Sequence, residues 1–351
     1  MDGYAVPRKR PNLVNLRTFL LIAAGTFITS YTATHAQKVE IIAGGTGFPN
    51  TAGEQKWFAF RDSLNATIGD DLELTMLIYG ELGPEENLVS GIRRGRIHYA
   101  NWSGAVTATV LPEMAMIYAP FLFDTYEEAD FILDNYLFAA YSQLLAKRNV
   151  HLVAWDEIGF NEVYSKFPIL VPRDAQSRRW RIASSESARL FAEAINVDVI
   201  PLGYTDVVSG LQTNLIEAGE NAITMYARTG IASEASHLTI TNHSFATSII
   251  VSKKSWFDSL ASPIRKALGD AWVDINIGRE WTRAEWRNDL SKAHSMGFDV
   301  HHISQSQRDL WRKATAEVPQ RMIDSIGGES QSIYELVLEA KLEFAARNAI
   351  P

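Results

Sequence analysis

Residues 178–187 read RRWRIASSES, and three arginines within four positions are the densest chemistry in the chain. Trp180 and Ile182 alternate with Arg179 and Arg181, so a strand here puts these two arginines on the face opposite the apolar pair. The serines that follow start a helix, with Ser184 or Ser185 as N-cap and ARLFAEAI as the helical run. A guanidinium at a strand end, beside a helix N-terminus, can hold an anion through parallel N–H donors. It can equally pair with Glu186 or a more distant carboxylate and serve only the fold.

Few other stretches suggest a reaction. The eight histidines are scattered, HExxH and GxSxG are absent, and there is no cysteine, so neither a metal site nor a nucleophile–base pair is expected. GGTGFPN at 44–50 follows a strand and precedes a helix. The third fingerprint glycine would fall at Asn50 and Pro49 interrupts the loop, so it reads as a turn near a cleft rather than a dinucleotide site. Glu85 and Glu86 stand at a helix start, where carboxylates offset the dipole. Trp102, at the strand end ANWSG, and Tyr204, opening YTDVVSGLQTN, have surfaces able to stack on a ligand, with core packing as the competing reading for both. No cofactor is expected.

The elements that must position these residues alternate. KVEIIAGGTG, DLELTMLIYG and RIHYANWS read as strands, separated by helices over NTAGEQKWFAFRDSLNATIG and PEENLVSGIRRG. This β-α-β-α-β order predicts an α/β sheet covered by helices. HLVAWDEIG is a further strand, and FNEVYSKFPILVP reads as a separate short extended piece. The α/β pattern restarts near residue 155 without a linker, which predicts two lobes joined by strands passing directly between them. VDVIPLG is a strand, LIEAGENAIT a strand or loop turning at Gly219, and SFATSIIVSKKSW another strand. Most of the remainder is helical, broken by FDVHHIS.

The composition, 46% hydrophobic and 21% charged over 351 residues, is that of an ordinary globular protein. Residues 1–36 differ. Arg8, Lys9, Arg10 and Arg17 flank the apolar run TFLLIAAGTFITSY, and TATHA supplies small residues before Gln37, the order of a secretory signal peptide. A single membrane anchor is the competing reading, and the run is short for one. Removing 1–36 leaves 29 Lys and Arg against 40 Asp and Glu, a net charge of −11. Such a surface argues against nucleic acid or anionic membranes as partners. An exported chain without cysteine must rely on its core rather than on disulfides. A monomeric protein of a bacterial periplasm is the expectation.

Several stretches together resemble the substrate-binding proteins of TRAP (tripartite ATP-independent periplasmic) transporters. DAQSRRWRI fits the family's D-L-K-G-L-K-hydrophobic-R-hydrophobic segment, with Arg181 at the ligand arginine and Ser177 at the usual glycine. INVDVIPLGYTDVVSGLQTN fits the next segment. IEAGEN fits v-D-G-x-E-N, with Asn221 at the ligand asparagine, Glu217 for the aspartate and Ala218 for the glycine. TNHSFATSIIVSKKSW and APFLFDTYEEA match two more, so the resemblance runs in order from about 120 to 256.

The resemblance implies a two-lobe periplasmic-binding-protein architecture with a hinge and a long helix spanning both lobes, for which DAWVDINIGREWTRAEWRNDLSKA is the candidate. It implies lobe I from 37–158 plus 247–286 and lobe II from 159–246 plus 287–351. It also implies that Arg181 forms a bidentate pair with a ligand carboxylate and that Asn221 donates to the same group, with Ser103, Trp102 and Tyr204 shaping the pocket. Many members carry a second ligand arginine in a G-x-R stretch, and IGFNEVY puts Asn161 there. One positive charge fewer favours a monocarboxylate, or a polar neutral group at that end. The function implied is capture of a small organic acid for integral membrane TRAP permease subunits. Two other readings stand beside it: a secreted α/β enzyme using Asp206 or Glu220, and a receptor for an ATP-driven importer.

Overall fold

The computed structural model describes residues 38–348, so the expected signal peptide lies outside the described residues. The strands are β1 (Val39–Gly44), β2 (Leu72–Leu77), β3 (Tyr99–Ser103), β4 (Val150–Ser165), β5 (Arg179–Ile182), β6 (Asp198–Pro201), β7 (Ala218–Ala222), β8 (His237–Lys253) and β9 (Asp299–His302). They form one sheet in the order β2-β1-β3-β8-β4-β7-β5-β6, with β9 beside β8. At one end β1 pairs parallel with β2 and β3, and the helices Ala52–Ile68 and Glu85–Arg94 make the crossovers that parallel pairing requires. At the other end β5 pairs parallel with β6 and β7, around the helix Glu186–Ala194.

The two ends are joined by β4 and β8, antiparallel to each other and 16 and 17 residues long. The C-terminal part of β8 pairs with β3 and its N-terminal part with β9, while the C-terminal part of β4 pairs with β7. Each long strand thus belongs to both α/β lobes.

The sequence reading divides β4 into a strand and a separate piece, whereas the strand is continuous. The reason is visible in its register, which shifts at Leu152/Ala154, Glu157/Gly159 and Asn161/Val163. Each irregularity resets the in–out alternation, so a period-2 reading loses phase while the ladder continues. Gly159 sits at the central shift with φ +110, a conformation that strains any residue with a Cβ. A Cβ there would also stand 3.1 Å from the Tyr126 hydroxyl. Gly219 is likewise no turn; it lies inside β7.

Helix Ile275–Ser291, about 26 Å long at 1.5 Å per residue, is fastened to both lobes. Arg279 forks onto Asp134 at 2.6 and 2.7 Å. Arg283 holds Glu157 of β4 at 2.6 and 2.9 Å and Asp130 at 2.6 Å, with its guanidinium over the Tyr126 ring. Beside them Lys56, almost wholly buried, pairs with Asp156 at 2.5 Å. At the other end of the helix Asp289 takes two hydrogen bonds from Arg228 of the second lobe, both at 2.8 Å. Arg228 also donates to the Asn50 carbonyl of the first lobe at 2.9 Å. The C-terminal helix Ser330–Asn348 packs against the first lobe, where Lys341 reaches Glu128 at 2.8 Å and the Leu122 carbonyl at 2.9 Å.

Glu157 keeps 3% of its side chain exposed, so removing Arg283 takes away both of its short ion-pair bonds and leaves it only the 3.7 Å approach of Arg279. Arg283→Ala is expected to cost about 3–5 kcal/mol of unfolding free energy in urea titrations. Arg61→Ala, which breaks an ion pair exposed on both sides, should stay within about 0.5 kcal/mol of wild type.

Candidate functional site

Arg181 lies on β5 in register with Ile200 on one side and Gly219 on the other. The alternation is as the sequence implies: Trp180 and Ile182 join the core that contains Phe191 and Trp311, and Arg181 leaves from the other face. Ser185 is the N-cap of the following helix, accepting from the Ala188 amide at 3.3 Å. Arg179 is half-exposed and pairs with Glu217 at 3.1 Å.

Arg181 itself is 6% exposed and its Nε donates to the Leu202 carbonyl at 3.0 Å. Among the described residues it enters no ion pair. The carboxylates that could have neutralised it are engaged elsewhere: Glu186 with Arg189 at 2.6 Å and Glu220 with His243 at 2.6 Å. A buried guanidinium is costly without a counter-charge, and the described residues pair none with it.

Asn221 stands two residues beyond Gly219 on β7 and therefore on the same face as Arg181. It is 8% exposed; its Oδ1 accepts from the Ala222 amide, while its Nδ2 is enclosed and meets no protein partner among the described residues. Tyr204 opens a short turn after β6, and its hydroxyl donates to the Thr229 hydroxyl at 3.0 Å. Burial pushes the Tyr204 phenol up, and the nearby Arg181 charge opposes that shift. Arg181, Asn221 and Tyr204 are thus brought together.

The other expected residues lie apart from this group. Asn161 pairs with Ala222, so its side chain leaves β4 from the face opposite Asn221. Trp102 and Ser103 belong to β3, separated from β7 by β8 and β4. Trp102 has no exposed surface and is part of the first lobe's core, so in this conformation it offers no face for stacking. Ser103 is half-buried and caps the turn Gly104–Thr107; its hydroxyl donates to Glu85 at 2.6 Å and its amide to the same carboxylate at 3.1 Å. Burial pushes the Glu85 carboxyl up, and these two hydrogen bonds oppose the shift.

Two groups near the site escaped the sequence reading. Tyr164 of β4 is wholly buried with its hydroxyl directed across Gly219. Glu162, in register with Asn221, accepts from the Thr241 and Asn242 amides at 2.6 and 2.8 Å and is 1% exposed. A lone glutamate in a strand normally faces water, so nothing in the sequence marks it. Beyond it, Thr241, His243 and Glu220 form a hydrogen-bonded chain of 2.7 and 2.6 Å. That chain has the composition of a hydroxyl, a base and an acid, yet Thr241 and His243 have no exposed surface. It ties the sheet together and presents no nucleophile.

Two α/β lobes joined by continuous strands, with an arginine lacking an internal counter-charge on one of them, define a two-lobe solute-binding protein. Residues 49–325 match the family model for bacterial extracellular solute-binding proteins of family 7, and the chain belongs to that family. Its relatives include the ectoine-binding periplasmic protein TeaA of Halomonas elongata, 21% identical over 79% of this chain and 83% of the relative. Another is the 2,3-diketo-L-gulonate-binding periplasmic protein YiaO of Escherichia coli, 24% identical over 72% and 76%. The fold is that of the sugar acid binding protein DctPAm of Advenella mimigardefordensis, solved with galactonate, at a TM-score of 0.79, 20% identity, and coverage of 87% of this chain and 99% of that one. A TRAP solute-binding protein of Shewanella oneidensis with bound succinate gives 0.80 at 18% identity, over 86% and 99%. The resemblance to TRAP substrate-binding proteins is thereby met.

Burial raises the Glu162 carboxyl from its ordinary value of 4.5 to about 8, against the opposing hydrogen bonds of Asn242 and Thr241. The fold then binds a proton that the unfolded chain releases, so this group's contribution falls as pH rises from about 4.5 to about 8. Glu162→Gln keeps the acceptor oxygen without the titration. Its melting temperature relative to wild type should therefore increase steadily across that window and level off above it.

Proposed function

We propose that this protein captures a small organic acid between its lobes and delivers it to the membrane subunits of a TRAP-type secondary transporter from the periplasmic side. The observation that carries the reading is the unpaired, nearly buried guanidinium of Arg181. A ligand carboxylate supplies the counter-charge that the chain withholds, in a geometry that matches two parallel N–H donors. Asn221, whose Nδ2 is unused on the same face, is the natural second donor. Tyr204 forms the neighbouring wall. Asn161, on the opposite face of β4, and Ser103 and Trp102, on β3 of the first lobe, lie apart from this group and serve the lobes around it.

Closure follows from linkage: a ligand touching both lobes favours the state in which both contacts are made. The lobes are 37–158 with 247–286, and 159–246 with 287–351, except that the C-terminal helix, packed on the first lobe, moves with that lobe. The bend falls where β4 and β8 change register near Gly159. We read it as a monomeric periplasmic carrier; among the described residues no helix is long and apolar enough to cross a membrane. Nucleic acid is no partner for so acidic a chain. We read the protein as a receptor and not an enzyme, because the hydroxyl–base–acid chain of Thr241, His243 and Glu220 is enclosed in the sheet.

One cation at the anchor favours ligands with a single carboxylate. Relatives are named for ectoine and for 2,3-diketo-L-gulonate, and a similar fold was solved with galactonate. In a thermal-shift panel, galactonate, glucuronate and ectoine should raise the melting temperature more than succinate does. By calorimetric titration Arg181→Ala should lose about 2–5 kcal/mol of binding, roughly thirtyfold to several thousandfold, with Arg181→Lys recovering part. The ligand-free melting temperature should match or exceed that of wild type, because the substitution removes a buried charge without a counter-ion. An Ala variant that binds as wild type, or that is strongly destabilised without ligand, contradicts the reading.

A further inference from the structure

We propose that the Tyr164 hydroxyl is a third donor to the carboxylate that Arg181 holds, a specificity group built from a neutral side chain. The inference rests on the reading of Arg181 as the anchor. Tyr164 on β4 and Arg181 on β5 are both in register with Gly219 of the intervening strand, one on each side. Residues in register share a face, and neighbouring strands are about 4.8 Å apart. The tyrosine ring therefore carries its hydroxyl from β4 over β7 toward the arginine. Its position is set from both ends. The ring stacks on Tyr226 at a centroid distance of 6.2 Å, and the hydroxyl occupies the space that a Cβ on residue 219 would fill. Only glycine at 219 admits it.

The hydroxyl has no exposed surface and no protein partner among the described residues. Buried hydroxyls are normally hydrogen-bonded, and one without a partner calls for an explanation. Asn221, two residues along the same face, has its Nδ2 in the same condition. Two neutral donors without acceptors and a guanidinium bonded only through its Nε among the described residues, close together on one sheet face, suit an oxyanion. None of the side chains near the hydroxyl is hydrogen-bonded to it: Tyr204 donates to Thr229, Glu162 accepts from the Thr241 and Asn242 amides, and Glu220 leaves β7 from the opposite face with His243. Where a second arginine would add charge, Tyr164 adds a donor without charge. That fits a singly charged ligand end.

The test compares wild type, Tyr164→Phe, Gly219→Ala and Arg181→Ala in ligand-free melting and in titrations with galactonate, glucuronate and ectoine. Removing an unpartnered hydroxyl should leave the ligand-free melting temperature of Tyr164→Phe equal to or above that of wild type. For whichever probe wild type binds, its affinity should fall on the order of tenfold to a hundredfold, as for a hydrogen bond to a charged group. Gly219→Ala should weaken binding as well, because its Cβ displaces the hydroxyl. A Tyr164→Phe protein that binds as wild type overturns the proposal, as does one that melts several degrees lower without ligand. Should Arg181→Ala lose binding while Tyr164→Phe keeps it, the anchor stands and this inference alone falls. Normal binding by both variants, or no binding of any probe by wild type, overturns both.

Discussion

A guanidinium removed from water must find negative charge or strong acceptors, because the desolvation penalty is large and arginine does not shed its proton. In this protein the requirement is left unmet on purpose of geometry. Arg181 is nearly buried on a strand whose neighbours present Ile200 and Gly219, and its backbone acceptor among the described residues is the Leu202 carbonyl. The acidic groups within chain reach, Glu186 and Glu220, are held by Arg189 and His243. Keeping these pairs separate is as necessary as placing the arginine. Were Glu186 free to swing to Arg181, it would compete with every ligand as an internal counter-ion, while Glu220 is kept from it by the opposite face of β7.

The rest of the architecture keeps that site firm while letting the lobes move. β4 and β8 carry the sheet from one lobe to the other, so hinge motion needs no break in the ladder, only a place where the register yields. Gly159, with a backbone that only glycine adopts easily, lies at such a place. The helix Ile275–Ser291 limits the motion. Its arginines are locked to Glu157, Asp130 and Asp134, and its acidic end holds Arg228, which also reaches the Asn50 carbonyl across the lobes. Buried pairs of this kind contribute little net stability but are costly to break singly. They fix positions more than they add free energy.

How much of this was legible in the sequence varies with the physics. The alternation of Arg179 and Arg181 with Trp180 and Ile182 declared the strand and its two faces, and the serine run gave the helix start to within one residue. The strand–helix order of both lobes could be read for the same reason, since apolar periodicity is a local signal. β4 reads as two pieces because its bulges reset the period, and Gly219 reads as a turn because a strand glycine matters only through a neighbour. That neighbour, Tyr164, is 55 positions away, and no local pattern joins them. Glu162 was passed over similarly, its burial being decided by the Thr241 and Asn242 amides of another strand. Trp102 and Ser103 show the converse. Their types suit a pocket, but strand order puts two strands, β8 and β4, between them and β7, with Trp102 in the core and Ser103 given to Glu85.

The central claim is that the ligand's carboxylate is the missing partner of Arg181. A crystal structure of the protein with a bound organic acid tests it most directly. The account predicts a carboxylate with both oxygens within hydrogen-bond distance, roughly 2.7–2.9 Å, of the Arg181 terminal nitrogens, while Glu186 and Glu220 keep their present partners. A carboxylate bound elsewhere, with Arg181 turned onto a protein acid, would contradict it.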